Sequence, residues 1–345
     1  MRHIFISALI FIALLSTASR AHSFEIEAEQ EFKTGRGLVG LRVISTADLE
    51  IFAPLIEAFQ ARNPHIDVQY FVASSGEVQK AILNEGAKFD IAISSAMDLQ
   101  TKLANDGYAL TYNSAVTETL PDWARWRDQI FAFTQEPAVL MVSRQRLAGL
   151  PLPTNRQELI DLLRDHPETF EDRIGTYDIR QSGLGYLFAT QDARNSESYW
   201  RLTEVMGRLG ARLYCCSGEM IADIGSGKLA LAYNVLGSYV SQHLSHNDGA
   251  EVIILEDYAH VMLRTALIPT TAQNFEEAGT FVDFLVAPST RSAIALTGLS
   301  PLDPDALIEE QAFRPIRLGP GLLSFLDRMK RQSFLRAWKS AIVQQ

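Results

Sequence analysis

Three short stretches of small hydroxyl residues carry the chemistry this sequence offers: Ser45-Thr46, Ser74-Ser75-Gly76-Glu77 and Ser94-Ser95-Ala96-Met97-Asp98. Ser74 with Glu77, and Ser95 with Asp98, have the spacing of a capping box, which leaves backbone N–H groups exposed at the positive end of a helix. One such serine by itself would only cap its own helix. Three junctions brought together would hold an anion through hydroxyls and N–H groups. A facing set stands further along: Tyr177-Asp178 with Ser182-Gly183, and Tyr233-Asn234 with Gly237-Ser238. Arg180 and Arg264 are placed to add positive charge, although an arginine in an acidic chain commonly ends in a surface ion pair.

Motifs for covalent or metal chemistry are scarce. There is no nucleophile-elbow serine, no zinc-protease helix with paired histidines and no dinucleotide glycine fingerprint. Gly225-Ser226-Gly227-Lys228 lacks the upstream glycine of a phosphate loop and is followed by Leu229 rather than Ser or Thr. His243 and His246 have no third ligand in view, so we read them as solvated and expect no metal, cofactor or catalytic residue. The two cysteines are neighbours, Cys215 and Cys216. That leaves two buried thiols, a labile vicinal disulfide or a soft-metal site as readings.

The elements that must position these residues follow from hydrophobic periodicity. Leu38 to Ile44 reads as a strand, Phe52, Leu55, Ile56 and Phe59 as one helix face, and Ile66 to Val72 as the next strand. That is a βαβ unit, extended by a helix after Ser75 and a strand from Asp90 to Ser94. Pro54 confines the first helix to a start near Ile51 if it is to stay straight. The middle of the chain repeats the pattern: a capping box at Thr154 and Gln157, strands at Arg173 to Asp178 and Lys228 to Asn234, and helices near Tyr199 to Leu209 and Ile221 to Ile224. A further helix follows Gly237, and Glu251 to Leu255 is β-rich. The apolar runs Pro137 to Val142 and His260 to Ile268 bracket this block and serve as crossings. Helices then occupy Phe275 to Leu285, Arg291 to Leu296 and Leu322 to Ile342. The expected fold is α/β with two lobes, each a mostly parallel sheet flanked by helices, joined by two crossover strands. One lobe takes residues 37–136 and 266–345, with the C-terminal helices, and the other takes residues 137–265. In such sheets the carboxyl ends of the strands line one crevice, which is where the serine junctions belong.

With 31 basic and 41 acidic residues the net charge is −10, which argues against a nucleic-acid binder. Residues 1–21 read as a cleavable signal peptide. Arg2 and His3 precede an apolar run from Ile4 to Leu15, and Ser19-Arg20-Ala21 presents small residues for cleavage after Ala21. The run is short of the roughly 20 residues a spanning helix needs. The mature chain, at −12 once Arg2 and Arg20 are gone, is expected free in the periplasm, an oxidising compartment.

Between about Leu41 and Leu296 the pattern resembles the periplasmic solute-binding proteins of ABC transporters, of the type II branch whose members bind ferric iron, thiamine, polyamines or phosphorylated acids. Its most specific stretch is Ala272-Gln273-Asn274-Phe275-Glu276-Glu277-Ala278 running to Phe284-Leu285-Val286-Ala287-Pro288-Ser289. Ser45-Thr46-Ala47, Phe89-Asp90-Ile91 before Ser94-Ser95, and Glu136-Pro137 are similar to the family as well. The resemblance implies a non-enzymatic protein that closes two lobes on a small organic anion and delivers it to an ABC transporter permease. Ligand contacts would then come from Ser45, Thr46, Ser74, Ser75, Glu77, Ser94, Ser95, Tyr177, Ser182, Gly183, Tyr233, Asn234 and Ser238. Ferric-binding members carry two adjacent tyrosines after an asparagine corresponding to Asn234, and here Val235 and Leu236 stand there. An oxygen-rich iron site would have to come from Tyr233, Tyr239, Tyr177 and Glu77 instead. The tail from Arg314-Pro315-Ile316-Arg317 to Phe334-Leu335 resembles members that travel with sensor kinases, which implies a periplasmic sensor domain as an alternative partner.

Overall fold

The computed structural model describes residues 24–243 and 249–344. The expected leader with its cleavage point after Ala21, the residue His246 and the side chain of His243 lie outside that description. After β1 (Ala28–Phe32), strands and helices alternate: β2 (Val39–Ser45), α1 (Leu49–Arg62), β3 (Ile66–Val72), α2 (Ser75–Leu83), β4 (Ile91–Ser94) and α3 (Met97–Asn105). β2 pairs in parallel with β3 on one side and β4 on the other, as helical crossovers require. In α1 the buried stripe is Ile51, Phe52, Leu55, Ile56 and Phe59. That helix begins at Leu49, so Pro54 lies within it. Pro54 and Glu50 are both exposed, so the hydrogen bond that the proline removes is lost on the solvent side of the helix.

β5 (Arg125–Trp126) leads into the long β6 (Ile130–Ser143). The middle block then runs through α4 (Arg156–Asp165), α5 (Pro167–Phe170), β7 (Ile174–Tyr177), α6 (Gly183–Asn195), α7 (Ser198–Arg208), β8 (Arg212–Tyr214), α8 (Ser217–Gly225), β9 (Leu231–Leu236), α9 (Gly237–His243) and β10 (Ala250–Ile253). The capping box expected at Thr154 forms one residue later. Asn155 Oδ1 accepts from the Glu158 N–H at 2.9 Å, and the Glu158 carboxylate accepts from the Thr154 N–H at 2.8 Å. β11 (Ala259–Leu267) returns the chain to α10 (Phe275–Val286), α11 (Arg291–Leu296), α12 (Pro304–Glu309), β12 (Phe313–Pro315) and α13 (Arg328–Ile342).

Among the described residues all strands join one 12-stranded sheet whose central path is β1-β3-β2-β4-β11-β6-β9-β7-β8. Its two ends are mostly parallel, and antiparallel β11 and β6 connect them. β6 serves both ends: Phe131 to Pro137 pair with β11, and Ala138 to Val142 pair with β9. The chain therefore changes partners at Pro137, in the run expected to be a crossing. One large hydrophobic cluster fills the first end and reaches beneath the junction, and a second, with Leu159, Leu163, Phe170 and Leu202, fills the other.

The tail departs from expectation. A 3₁₀ turn at Pro320–Phe325 interrupts the expected Leu322–Ile342 helix, and Asp327 caps α13 by accepting from the Met329 and Lys330 N–H groups at 3.1 Å. Rather than joining the first block, α13 lies on α7, with Phe334, Trp338 and Ile342 in the second cluster. The physical reason is its i, i+4, i+8 stripe, which needs an apolar partner and finds one in Tyr199, Leu202 and Met206. Gly207 leaves no room for a Cβ beneath Ala341 and Ile342. The 3₁₀ turn meanwhile rests on α3, so the tail spans both ends of the sheet.

Candidate functional site

The strand-to-helix junctions of both ends meet at a cavity of about 300 Å³, within the range of small-molecule sites. Five helices of nine residues or more begin on its wall: α1 at Asp48, α2 at Ser74 and Ser75, α3 just after Ser95, α6 at Ser182, and α8 at Cys216 and Ser217. Of the residues named from sequence, Thr46, Ser74, Ser75, Ser95, Tyr177 and Ser182 line it.

Their hydroxyls are used differently. Ser74 Oγ accepts from the Glu77 N–H at 3.3 Å, as a capping box requires. Ser182 Oγ accepts from the Gly185 N–H at 3.1 Å. Ser75 Oγ accepts from the Gly183 N–H at 3.1 Å, a bond that crosses the cavity. In accepting, it keeps its own proton for a ligand. Ser95 does not form the box expected with Asp98. Ser94 Oγ takes the Ala96 N–H at 3.1 Å, and Asp98 accepts from the Leu99 N–H at 2.9 Å. Ser95 Oγ stays on the wall, 3.4 Å from Thr46 Oγ1.

Arg264 and Glu136, on neighbouring crossing strands, form the back of the cavity. The guanidinium donates Nε to Glu136 Oε1 at 2.9 Å, Nη2 to Oε2 at 3.2 Å and Nη1 to Thr46 Oγ1 at 3.3 Å. Thr134 and Ser238 hydroxyls donate to the same carboxylate. Burial works against the arginine's charge, but Glu136 outweighs it and holds the guanidinium above its usual range. A second bridge crosses the cavity where the Tyr239 hydroxyl accepts from the backbone N–H of Asp48.

Residues 87–317 match the family described as bacterial extracellular solute-binding proteins. The substrate-binding protein of an ABC transporter from Agrobacterium tumefaciens superposes with a TM-score of 0.87 at 32% identity, covering 93% of this chain and 100% of that one. The chain belongs to the bacterial extracellular solute-binding proteins. Its fold is also that of AfuA from Actinobacillus pleuropneumoniae, solved with fructose-6-phosphate, at TM-score 0.72 and 13% identity over 90% of this chain and 100% of that one. Iron-bound HitA from Pseudomonas aeruginosa shares it at TM-score 0.68 and 17% identity, over 88% and 99% of the two chains. No curated protein sequence matches the chain. Among the described residues, no helix is long and apolar enough to cross a membrane.

In this solute-binding protein several residues expected at the ligand stand elsewhere. Ser45 is buried, and its Oγ accepts from the Ala47 N–H at 3.0 Å; it and Ser94 shape the turns that present Thr46 and Ser95. Glu77 turns away, accepting from the Glu25 N–H at 2.8 Å and pairing with Lys80 at 3.3 Å. Gly183 contributes its N–H to Ser75, and Ser238 is bound to Glu136. Tyr233 and Asn234 belong to a separate buried network around Asp192, which accepts from the Tyr233 hydroxyl at 3.0 Å and Asn234 Nδ2 at 2.8 Å. Arg156 donates Nε to Tyr233 at 2.8 Å and lies 3.4 Å from Asp192, with His260 at 3.3 Å from the same carboxylate. Burial would raise Asp192, yet Arg156 and His260 bring it down to about 2. With Tyr233 and Glu77 off the cavity wall, the four oxygen donors considered for iron do not line it together. Arg180 is exposed and paired at 2.6 Å with the buried Asp178, off the cavity wall.

Other wall residues were not expected at the ligand. Cys215 and Cys216 are joined as a disulfide, and both are exposed on the wall, which sets aside the reading of two buried thiols. Glu27, Asp48 and Glu219 also line the cavity. The Glu27 carboxyl is pushed up by partial burial and then by the negative charges of Asp48, Glu219 and Glu25. Asp48 was readable as the residue closing the Ser45-Thr46 junction. Glu27 precedes the first strand that hydropathy marks and left no signal.

Proposed function

We propose that this protein is exported to the periplasm, with its leader removed after Ala21, and binds a small organic solute bearing a carboxylate or phosphate. Two lobes, residues 37–136 with 266–327 and residues 137–265 with α13 packed on them, close on the solute and present it to an ABC transporter permease. The convergence of five helix N-termini on one cavity carries this reading. Aligned N–H groups favour negative charge without the desolvation cost of buried lysines. Thr46, Ser75 and Ser95 supply directional donors. Losing one hydrogen bond to a charged group costs about 1.5–3 kcal/mol, so Ser95→Ala is expected to weaken binding roughly ten- to a hundredfold with the fold intact. The experiment is mass spectrometry of what co-purifies with the protein, followed by calorimetry of wild type and Ser95→Ala with that compound. Wild-type affinity in the mutant, or a compound with no acidic group, would reject the reading.

A further inference from the structure

The charge on the cavity wall does not suit a solute that is only an anion. Among the described residues the wall carries three carboxylates, Glu27, Asp48 and Glu219, and one cationic side chain, Arg264. Arg264 is committed to Glu136 through two hydrogen bonds, so that pair contributes no net positive charge. What remains is a neutral floor of Thr46, Ser95 and the Arg264–Glu136 pair, and an acidic rim where Glu27 and Glu219 are exposed. The helix N-termini amount to about half a charge each, screened beyond the first turn, and they favour an anionic group held on the floor rather than one at the rim. A purely anionic solute would meet repulsion from the rim as the lobes close and water leaves.

We infer that the captured solute carries a positively charged nitrogen as well as an acidic group, the nitrogen facing Glu27 and Glu219 and the acid facing Thr46, Ser75 and Ser95. The inference rests on the capture reading above, and the cavity defines the site; the acids determine only which charge it selects. Because the rim is exposed, its selectivity is modest and depends on salt.

Thermal-shift measurements with three pools of small molecules test it: succinate, citrate and 3-phosphoglycerate as acids; putrescine and choline as amines; phosphoethanolamine, 4-aminobutyrate and glycine betaine as compounds with both charges. Stabilisation is expected to be largest with the third pool. Calorimetry with its best member should show about a five- to tenfold loss of affinity in Glu27→Gln/Glu219→Gln, and a smaller loss in the exposed single variant Glu219→Gln. The advantage over the matching acid should shrink as sodium chloride is raised. Largest stabilisation by the acid pool, or unchanged affinity in the double variant, would overturn the inference and leave the capture reading standing. Largest stabilisation by the amine pool would keep the nitrogen and remove the acid from the capture reading. A flat response to every pool would reject capture of these classes, and this inference with it.

Discussion

Glu136 contributes to stability through what it neutralises. Arg264 is 1% exposed, and among the described residues its guanidinium is hydrogen-bonded to the Glu136 carboxylate and to Thr46. Glu136→Ala would leave a buried charge unpaired, and breaking such a pair costs about 3–5 kcal/mol. Urea denaturation of the variant should show that loss, and a change under 1 kcal/mol would mean that water replaces the carboxylate. Gly183 is constrained in another way. A Cβ there would collide with Ser75 Oγ and stand 3.0 Å from Leu99 Cδ1, so Gly183→Ala forces the cavity walls apart. We expect weaker solute binding with little loss of stability, measured by calorimetry beside a melting curve. Wild-type affinity would show that the Ser75 contact can yield. The cysteine pair sits on the same wall, so reduction followed by alkylation should fill the cavity and suppress binding, whereas alkylation without reduction should do nothing.

Two helices illustrate how an element's environment sets its energetics. Asp98, in the first turn of α3, is 2% exposed, and burial raises its carboxyl to about 7. The unfolded carboxyl titrates near its ordinary value of about 4. Between these limits the native state binds more protons than the unfolded one, so stability falls as pH rises from about 4 to about 7 and levels off above that. Asp98→Asn keeps an oxygen for the Leu99 N–H and removes the ionisation. It should match wild type at pH 4 and exceed it at pH 8 by about 2–4 kcal/mol; an equal deficit at both pH values would show that the carboxyl acts by packing alone. In α13, Trp338 is 2% exposed within the second cluster, so Trp338→Ala should cost about 3–5 kcal/mol. The sequence announced α13 through its apolar stripe but not its partner, because an apolar stripe fits any apolar surface of similar shape. The capping box that forms at Asn155 rather than Thr154 has the same character: the helix was legible and its first residue was not.

For the whole molecule, the two ends of the sheet communicate through β6, β11 and the C-terminal tail. In the capture proposed above, bending at the two strands would move one end against the other, and solute bound between them would favour the closed form. Small-angle scattering should show a smaller radius of gyration with saturating solute; an unchanged radius would rule out closure. The alternating strand and helix pattern, the two apolar crossings and the serine-rich junctions were all written in the sequence, because hydrophobic period and capping chemistry are local. So was Thr46 with Ser74, Ser75, Ser95, Tyr177 and Ser182 on one wall, since parallel strands put their carboxyl ends on a single edge. Which neighbouring side chains satisfy one another was decided only by the tertiary structure. Tyr233 and Asn234 sit at a strand end as the expected ligand residues do, but Asp192, brought from 41 and 42 residues earlier by α6, claims both. Arg264 reaches the cavity and is neutralised by Glu136 from 128 residues away. Local pattern places a polar side chain on an element and at a strand end. Whether it meets a ligand or a buried partner depends on long-range electrostatics, and those exist only once the chain has folded.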